Sequence, residues 1–170
     1  DLTKGDVIFI TSNKQIITFA LILACINMGI IYSIIDKDIP QFRLKKISSR
    51  VGPKYIFFHD LGFKLFSSKS IKFIKISDLK IINKIVNKKI KEIVPVYIMF
   101  TSGSSGEPKG VLVSSLNLIN FIEWINQTYN FKPHDNNLNL NPLYFDNSVF
   151  DIFSSLFTGA SLIPIDNNEF

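Results

Sequence analysis

Tyr97-Ile-Met-Phe-Thr-Ser-Gly-Ser-Ser-Gly-Glu-Pro-Lys-Gly-Val-Leu-Val113 decides how this chain is read. It runs apolar, then hydroxyl- and glycine-rich, then apolar again. The first run is β-branched and aromatic, as a buried strand requires. Glycines in the middle let backbone N–H groups turn toward an anion, because no Cβ blocks the approach. Thr101, Ser102, Ser104 and Ser105 add hydroxyl donors around Gly103 and Gly106, and Lys109 adds a mobile positive charge. A loop built this way suits a polyphosphate. It is not a Walker A loop, which needs Gly-Lys-Ser/Thr contiguous and opening a helix. Here Pro108 precedes the lysine, and Gly110-Val-Leu-Val begins a new strand. The plain alternative is a Ser/Gly hairpin loop with a solvated lysine.

Working outward, Val7–Thr11 reads as a buried strand, and Ser12 or Asn13 can cap a helix running to about Met28. Ile30–Ile35 reads as a second strand, 40–50 as a helix with Pro40 near its first turn, and Lys54–Phe58 as a third strand. That rhythm implies a parallel α/β unit. A strand at Ile71–Ile76 and a helix from Asp78 to about Asn87 precede the loop. Beyond it, Ser114 or Ser115 caps a helix through about Tyr129, with Leu118, Ile122, Ile125 and Tyr129 on one face. A short strand is expected at Asn137–Asn141. Ser148 with Asp151 matches a capping pattern ahead of the stripe Val149, Ile152, Phe153, Leu156 and Phe157. Gly159 ends that helix and Ala160–Ile165 is a final strand.

Composition narrows the function classes. The chain has 170 residues, 46% of them hydrophobic, enough for a substantial core. A net charge of +5 could suggest nucleic acid. The lysines, however, are interleaved with isoleucine and asparagine, without a basic stripe beside stacking aromatics. No nucleic-acid partner is expected. Cys25 is the single cysteine, which excludes an internal disulfide, and no metal site is expected here. His59 and His134 lack ligand spacing. Ile16–Ile35 is long enough to span a bilayer. Asn27 and Gly29 in its middle, with a β-rich tail, favour a buried helix leading into a strand. No membrane span and no signal peptide are expected, and the location is read as cytoplasmic. Asp1 and Phe170 read as the ends of a piece of something longer.

The loop string resembles the phosphate-loop signature of the adenylate-forming (AMP-binding) superfamily. Gly29-Ile-Ile-Tyr32-Ser-Ile-Ile-Asp36, followed by Pro40, Arg43 and Leu44, is similar to an early structural element of the same superfamily. Ser33-Ile34 and Lys37 depart mildly from its usual residues. Arg43 is taken as a helix-surface or ion-pair residue. Phe145-Asp146-Asn147-Ser148-Val149 resembles a motif of the amino-acid-activating members: peptide-synthetase adenylation domains and D-alanine:carrier-protein ligases. There the aspartate at the Asp146 position binds the substrate's α-ammonium. A carboxylate at the mouth of an apolar pocket suits that role. A helix N-terminus alone would also favour it.

The resemblance implies an α/β fold of mostly parallel sheets flanked by helices, part of a large N-terminal domain. It divides as 1–94, a first α/β subdomain portion, and 95–170, the phosphate-loop and substrate-motif portion. The implied reaction activates an amino-acid carboxylate with ATP as aminoacyl-AMP, then passes it to a phosphopantetheine thiol on a carrier protein. Phosphate binding falls to Thr101, Ser102, Gly103, Ser104, Ser105, Gly106 and Lys109, and substrate binding to Asp146. No catalytic residue is expected among these residues, and the Mg²⁺ ligand is expected elsewhere. Alternatives are an acyl- or aryl-CoA ligase of the superfamily, a non-catalytic nucleotide-binding fragment, or, on hydropathy alone, a membrane protein.

Overall fold

The computed structural model describes residues 1–59, 68–79, 92–101 and 107–165. The order is β1 (Val7–Thr11), α1 (Ile16–Met28), β2 (Ile31–Ile35), α2 (Gln41–Val51), β3 (Tyr55–Phe58) and β4 (Lys72–Lys75). Then come β5 (Pro95–Thr101), β6 (Lys109–Ser114), α3 (Ser115–Tyr129), β7 (Asn136–Asn139), α4 (Asn147–Leu156) and β8 (Ser161–Pro164). Among the described residues the strands form two sheets. One has six strands in the order β4-β3-β1-β2-β5-β6, and the other pairs β7 with β8. All neighbours are parallel except β5 and β6, which form an antiparallel hairpin. The six-stranded sheet draws strands from both sides of residue 95.

Strand alternation sends side chains to two cores. Ile8 and Ile10 of β1 pack with Phe19, Ile22 and Cys25 of α1. Phe9, between them, packs with Leu44 and Ile47 of α2 on the opposite face. Burying a side chain such as Phe9 contributes about 1.5–3 kcal/mol, and it leaves no surface exposed. The fold is thus a mostly parallel sheet with helices on both faces.

The long apolar run resolves into helix and strand. α1 stops at Gly29, whose φ of 68° is left-handed and open to glycine without a Cβ penalty. Its N–H reaches the carbonyls of Cys25 and Ile26. Among the described residues no helix is long and apolar enough to cross a membrane.

Three local readings need correction. Neither Ser12 nor Asn13 caps α1: Gln15 holds the N-cap without a side-chain bond, and Asn13 Oδ1 accepts from the Gln15 N–H at 2.8 Å in a turn just before it. The Ser148–Asp151 pair does not cap α4. Asp146 is the N-cap, with its carboxylate accepting from Asn147 N–H at 2.9 Å. Ser148 is buried and donates to the carbonyls of Leu143 and Phe145, while Asp151 accepts from Asn139 Nδ2 at 2.9 Å. Leu156 and Phe157, placed on the apolar stripe, are 37% and 46% exposed. α3 does carry the expected cap: Ser114 and Asn117 exchange side-chain and backbone bonds. Of the helix expected from Asp78, residues 76–78 form a 3₁₀ turn and most of the rest lies outside the described residues.

Candidate functional site

The carboxyl ends of β2 and β5 lie side by side, and a cleft of about 550 Å³ opens there. Ligands of parallel α/β sheets bind outside the carboxyl ends of the strands. The cleft draws on four regions of sequence. Asp36 follows β2, Arg43 projects from α2, Thr101 ends β5, and Tyr144, Phe145 and Asp146 precede α4. Thr101 and Asp146, singled out from separate motifs, therefore share one cleft.

Thr101 stands in register with Lys109 across the β5–β6 hairpin. Ser102, Gly103, Ser104, Ser105 and Gly106 lie outside the described residues. Lys109 is exposed and has no partner among the described residues. The two residues before it are held firmly. Glu107 pairs with Lys46 and, at 2.8 Å, with Arg50, both on α2. Arg50 Nη1 also donates to the Pro108 carbonyl at 2.7 Å, and Pro108 is buried. The Lys46 hydrogen bond is the main reason the Glu107 carboxyl sits below the usual carboxylate range.

Asp146 is exposed on the cleft wall, so its charge can meet a ligand there. Burial, and then the charge of Asp146, push the Tyr97 phenol above its ordinary value. Burial, and then the carboxylate of Asp36, do the same to Tyr144. Both phenols therefore stay neutral across the physiological range and can donate a hydrogen bond. Arg43 makes no ion pair among the described residues; it is half-buried and faces the cleft. Among the described residues no group of three or more His, Cys, Asp or Glu could hold a metal ion.

Sequence reasoning passed over Tyr144 and Asp36 as site residues. Asp36 closes one quoted motif, and Tyr144 directly precedes another. The available signal was position, because Asp36 directly follows a buried strand whose carboxyl end faces the cleft.

The family model described as AMP-binding enzyme matches residues 1–170. The chain belongs to the AMP-binding enzyme family. Among curated relatives, bacitracin synthase 1 of Bacillus licheniformis is 32% identical over 166 residues, covering 98% of this chain and 3% of that protein. D-alanine–D-alanyl carrier protein ligase of Staphylococcus aureus is 34% identical over 148 residues, covering 86% of this chain and 30% of the ligase. This AMP-binding chain thus spans under a third of either relative. Among solved structures, the N-terminal subdomain of Klebsiella oxytoca NpsA in complex with 3-hydroxybenzoyl-AMSN superposes with a TM-score of 0.79. It is 21% identical, and the match covers 96% of this chain and 42% of that one. The similarity places the fold with the N-terminal domains of adenylate-forming enzymes.

Proposed function

We propose that this chain is the nucleotide-phosphate and amine-recognition portion of an amino-acid-activating ligase. The activity is ATP-dependent formation of aminoacyl-AMP, followed by transfer to a carrier-protein phosphopantetheine thiol. The observation that carries the reading is the single cleft shared by Thr101, at the mouth of the glycine-serine loop, and the exposed carboxylate of Asp146. Its volume falls within the range of small-molecule sites. In this reading 1–94 supplies the sheet's central strands and 95–170 carries both motifs.

The residues present fit a polyphosphate. The exposed ammonium of Lys109 and the hydroxyl of Thr101 stand at either end of the segment where Ser102, Gly103, Ser104, Ser105 and Gly106 offer further donors. These groups hold the departing pyrophosphate as negative charge grows on it, and they do no covalent chemistry. Bound ATP supplies the α-phosphorus that the carboxylate attacks. Mg²⁺, whose ligands are expected elsewhere, would neutralise phosphate charge when bound. Asp146 orients the substrate by its ammonium, while the neutral phenols of Tyr97 and Tyr144 keep further negative charge out of the neighbourhood. The reading is of a cytoplasmic enzyme.

A second reading has its own observation. Asp146 already caps α4, and a carboxylate with that structural task is compatible with an acyl- or aryl-activating ligase. One substitution separates the two. Asn caps a helix as well as Asp does, so Asp146→Asn keeps the cap and removes the charge. In the natural polypeptide carrying these residues, kcat/KM for the amino acid should fall by about 2–5 kcal/mol of transition-state stabilisation, as when a desolvated charge loses its partner. ATP affinity and thermal midpoint should hold. A protein that activates the des-amino acid equally well, and ignores Asp146→Asn, belongs to the acyl or aryl branch.

A further inference from the structure

We infer that Glu107 is a positioning residue for Lys109: gripped by Lys46 and Arg50 of α2, it fixes where the phosphate-facing lysine stands opposite Thr101. The inference rests on the phosphate-binding reading above and adds to it a residue that neither motif comparison nor spacing assigns.

The geometry is a two-point clamp. The planar guanidinium of Arg50 reaches the Glu107 carboxylate with Nη2 at 2.8 Å and the Pro108 carbonyl with Nη1 at 2.7 Å. A single rigid fork therefore holds the side chain of one residue and the backbone of the next. Lys46, one turn earlier on α2, takes the other carboxylate oxygen. The proline ring fixes the φ torsion that lies between the two gripped groups, the Glu107 side chain and the Pro108 carbonyl. On the far side of Lys109 the chain is fixed again. Gly110 pairs with Phe100, and a Cβ there would lie 3.1 Å from Ile98 Cγ2 and 3.3 Å from Phe100 Cε1. Phe100 in turn meets Phe9 edge-on, with ring centroids 6.1 Å apart. Lys109 thus carries an exposed side chain on a backbone held at both neighbouring residues. A catalytic cation needs that combination, because only a fixed base lets the ammonium be aimed in advance of reaction.

A plain surface ion pair is the rival explanation. The side chains of Glu107, Lys46 and Arg50 are 39%, 43% and 46% exposed, so the pairs add little to stability. Two observations exceed that rival: the grip on the Pro108 backbone, and the helix that provides it. α2 also carries Arg43 into the cleft wall. The clamp therefore ties the base of the loop to the wall of the cleft.

The test uses Glu107→Gln and Arg50→Lys in the natural polypeptide; Arg50→Lys keeps the charge and abolishes the fork. The dissociation constant for MgATP is measured by calorimetry, with KM for ATP and for the carboxylate substrate alongside. Each variant should weaken ATP binding about twofold to fivefold, the scale of an exposed ion pair, with the carboxylate KM and the thermal midpoint unchanged. The gap between wild type and Glu107→Gln should close at about 1 M salt, where the Debye length is about 3 Å. Unchanged ATP affinity overturns the inference. So does a parallel drift of both substrates and the thermal midpoint, which marks a merely structural role. Lys109→Ala separates the two layers. If it weakens ATP binding while Glu107→Gln is silent, this inference alone fails. If Lys109→Ala is itself silent, the phosphate-loop reading fails and takes the inference with it.

Discussion

Lys14→Met should loosen the small sheet without touching the cleft. Lys14 lies between β1 and α1, and its ammonium donates to three backbone carbonyls from much later in the chain. They are Asn139 at 2.7 Å, Leu140 at 3.0 Å and Ile165 at 2.6 Å. The Asn139 carbonyl also receives the Ile165 N–H at 3.2 Å, so this cation crosses the point where β7 and the end of β8 are joined. Methionine keeps the apolar stem and deletes the donors. A hydrogen bond to a charged group contributes about 1.5–3 kcal/mol. The Leu140 bond is exposed, and water replaces it at small cost. The two part-buried bonds, at the low end of that range, amount to about 3 kcal/mol, and partial rehydration of the carbonyls leaves about 2–3 kcal/mol. Native-state hydrogen exchange reads this locally. At tenfold per 1.4 kcal/mol, the protected β7 and β8 amides should exchange about 30-fold to 140-fold faster. Amides of β3 should keep their rates. Acceleration below about threefold at β7 and β8 would show that the three contacts carry no net energy and that the argument is wrong.

Two more outcomes follow from single groups. Asp6 accepts from Thr3 N–H, the Thr3 hydroxyl and the Lys54 ammonium, and the Lys54 bond is the main cause that brings its carboxyl down to about 2. A lowered folded pKa stabilises the fold fully above the unfolded carboxylate range of about 4, and that contribution is lost as pH falls toward about 2. A carboxyl NMR titration should find the Asp6 midpoint well below that of a denatured peptide, and Asp6→Asn should erase this part of the acid dependence. Cys25 is buried, and burial pushes its thiol up to about 12. A thiol reagent at pH 8 should leave it unmodified until denaturant is added; stoichiometric labelling of the folded chain would contradict the packing of α1 on the sheet.

The legible parts of this molecule were local and apolar. β1, β2, β3 and the β5–β6 hairpin each announce themselves in runs of isoleucine, valine and phenylalanine, and Gly29 ends a helix where sequence places it. The parallel order followed, because helix-linked strands of that length have few other ways to pair. Spacing failed where two acceptors compete for one helix end. Ser148 and Asp151 have the right separation, but Asp146 is nearer the free N–H groups, and Ser148 is drawn into the core to satisfy two carbonyls. Asn139 shows the same blindness: a polar residue in an asparagine-rich stretch turns out fully buried, bonded to Asp151. The clamp on Glu107 was illegible for a different reason. Its partners lie on α2, far back along the chain, and no local periodicity links a glutamate in a loop to an arginine on a distant helix. Thr101 and Asp146 could be named from their motifs, whereas their meeting in one cleft needed the sheet order.

That sheet order also sets a sequence of events. β1 pairs with β2 and β3 through contacts contained within the first 58 residues, and β5 with β6 through a hairpin closed by a short connection. The β2–β5 pairing, at Tyr32 and Tyr97, joins these halves and spans the greatest stretch of chain in the six-stranded sheet. Closing a long loop costs entropy before the contact repays it, so such a pairing forms late. The cleft lies at this seam. A molecule can therefore hold its central strands and its hairpin intact and still have no binding site, and a ligand that bridges the seam favours the joined halves over the separate ones.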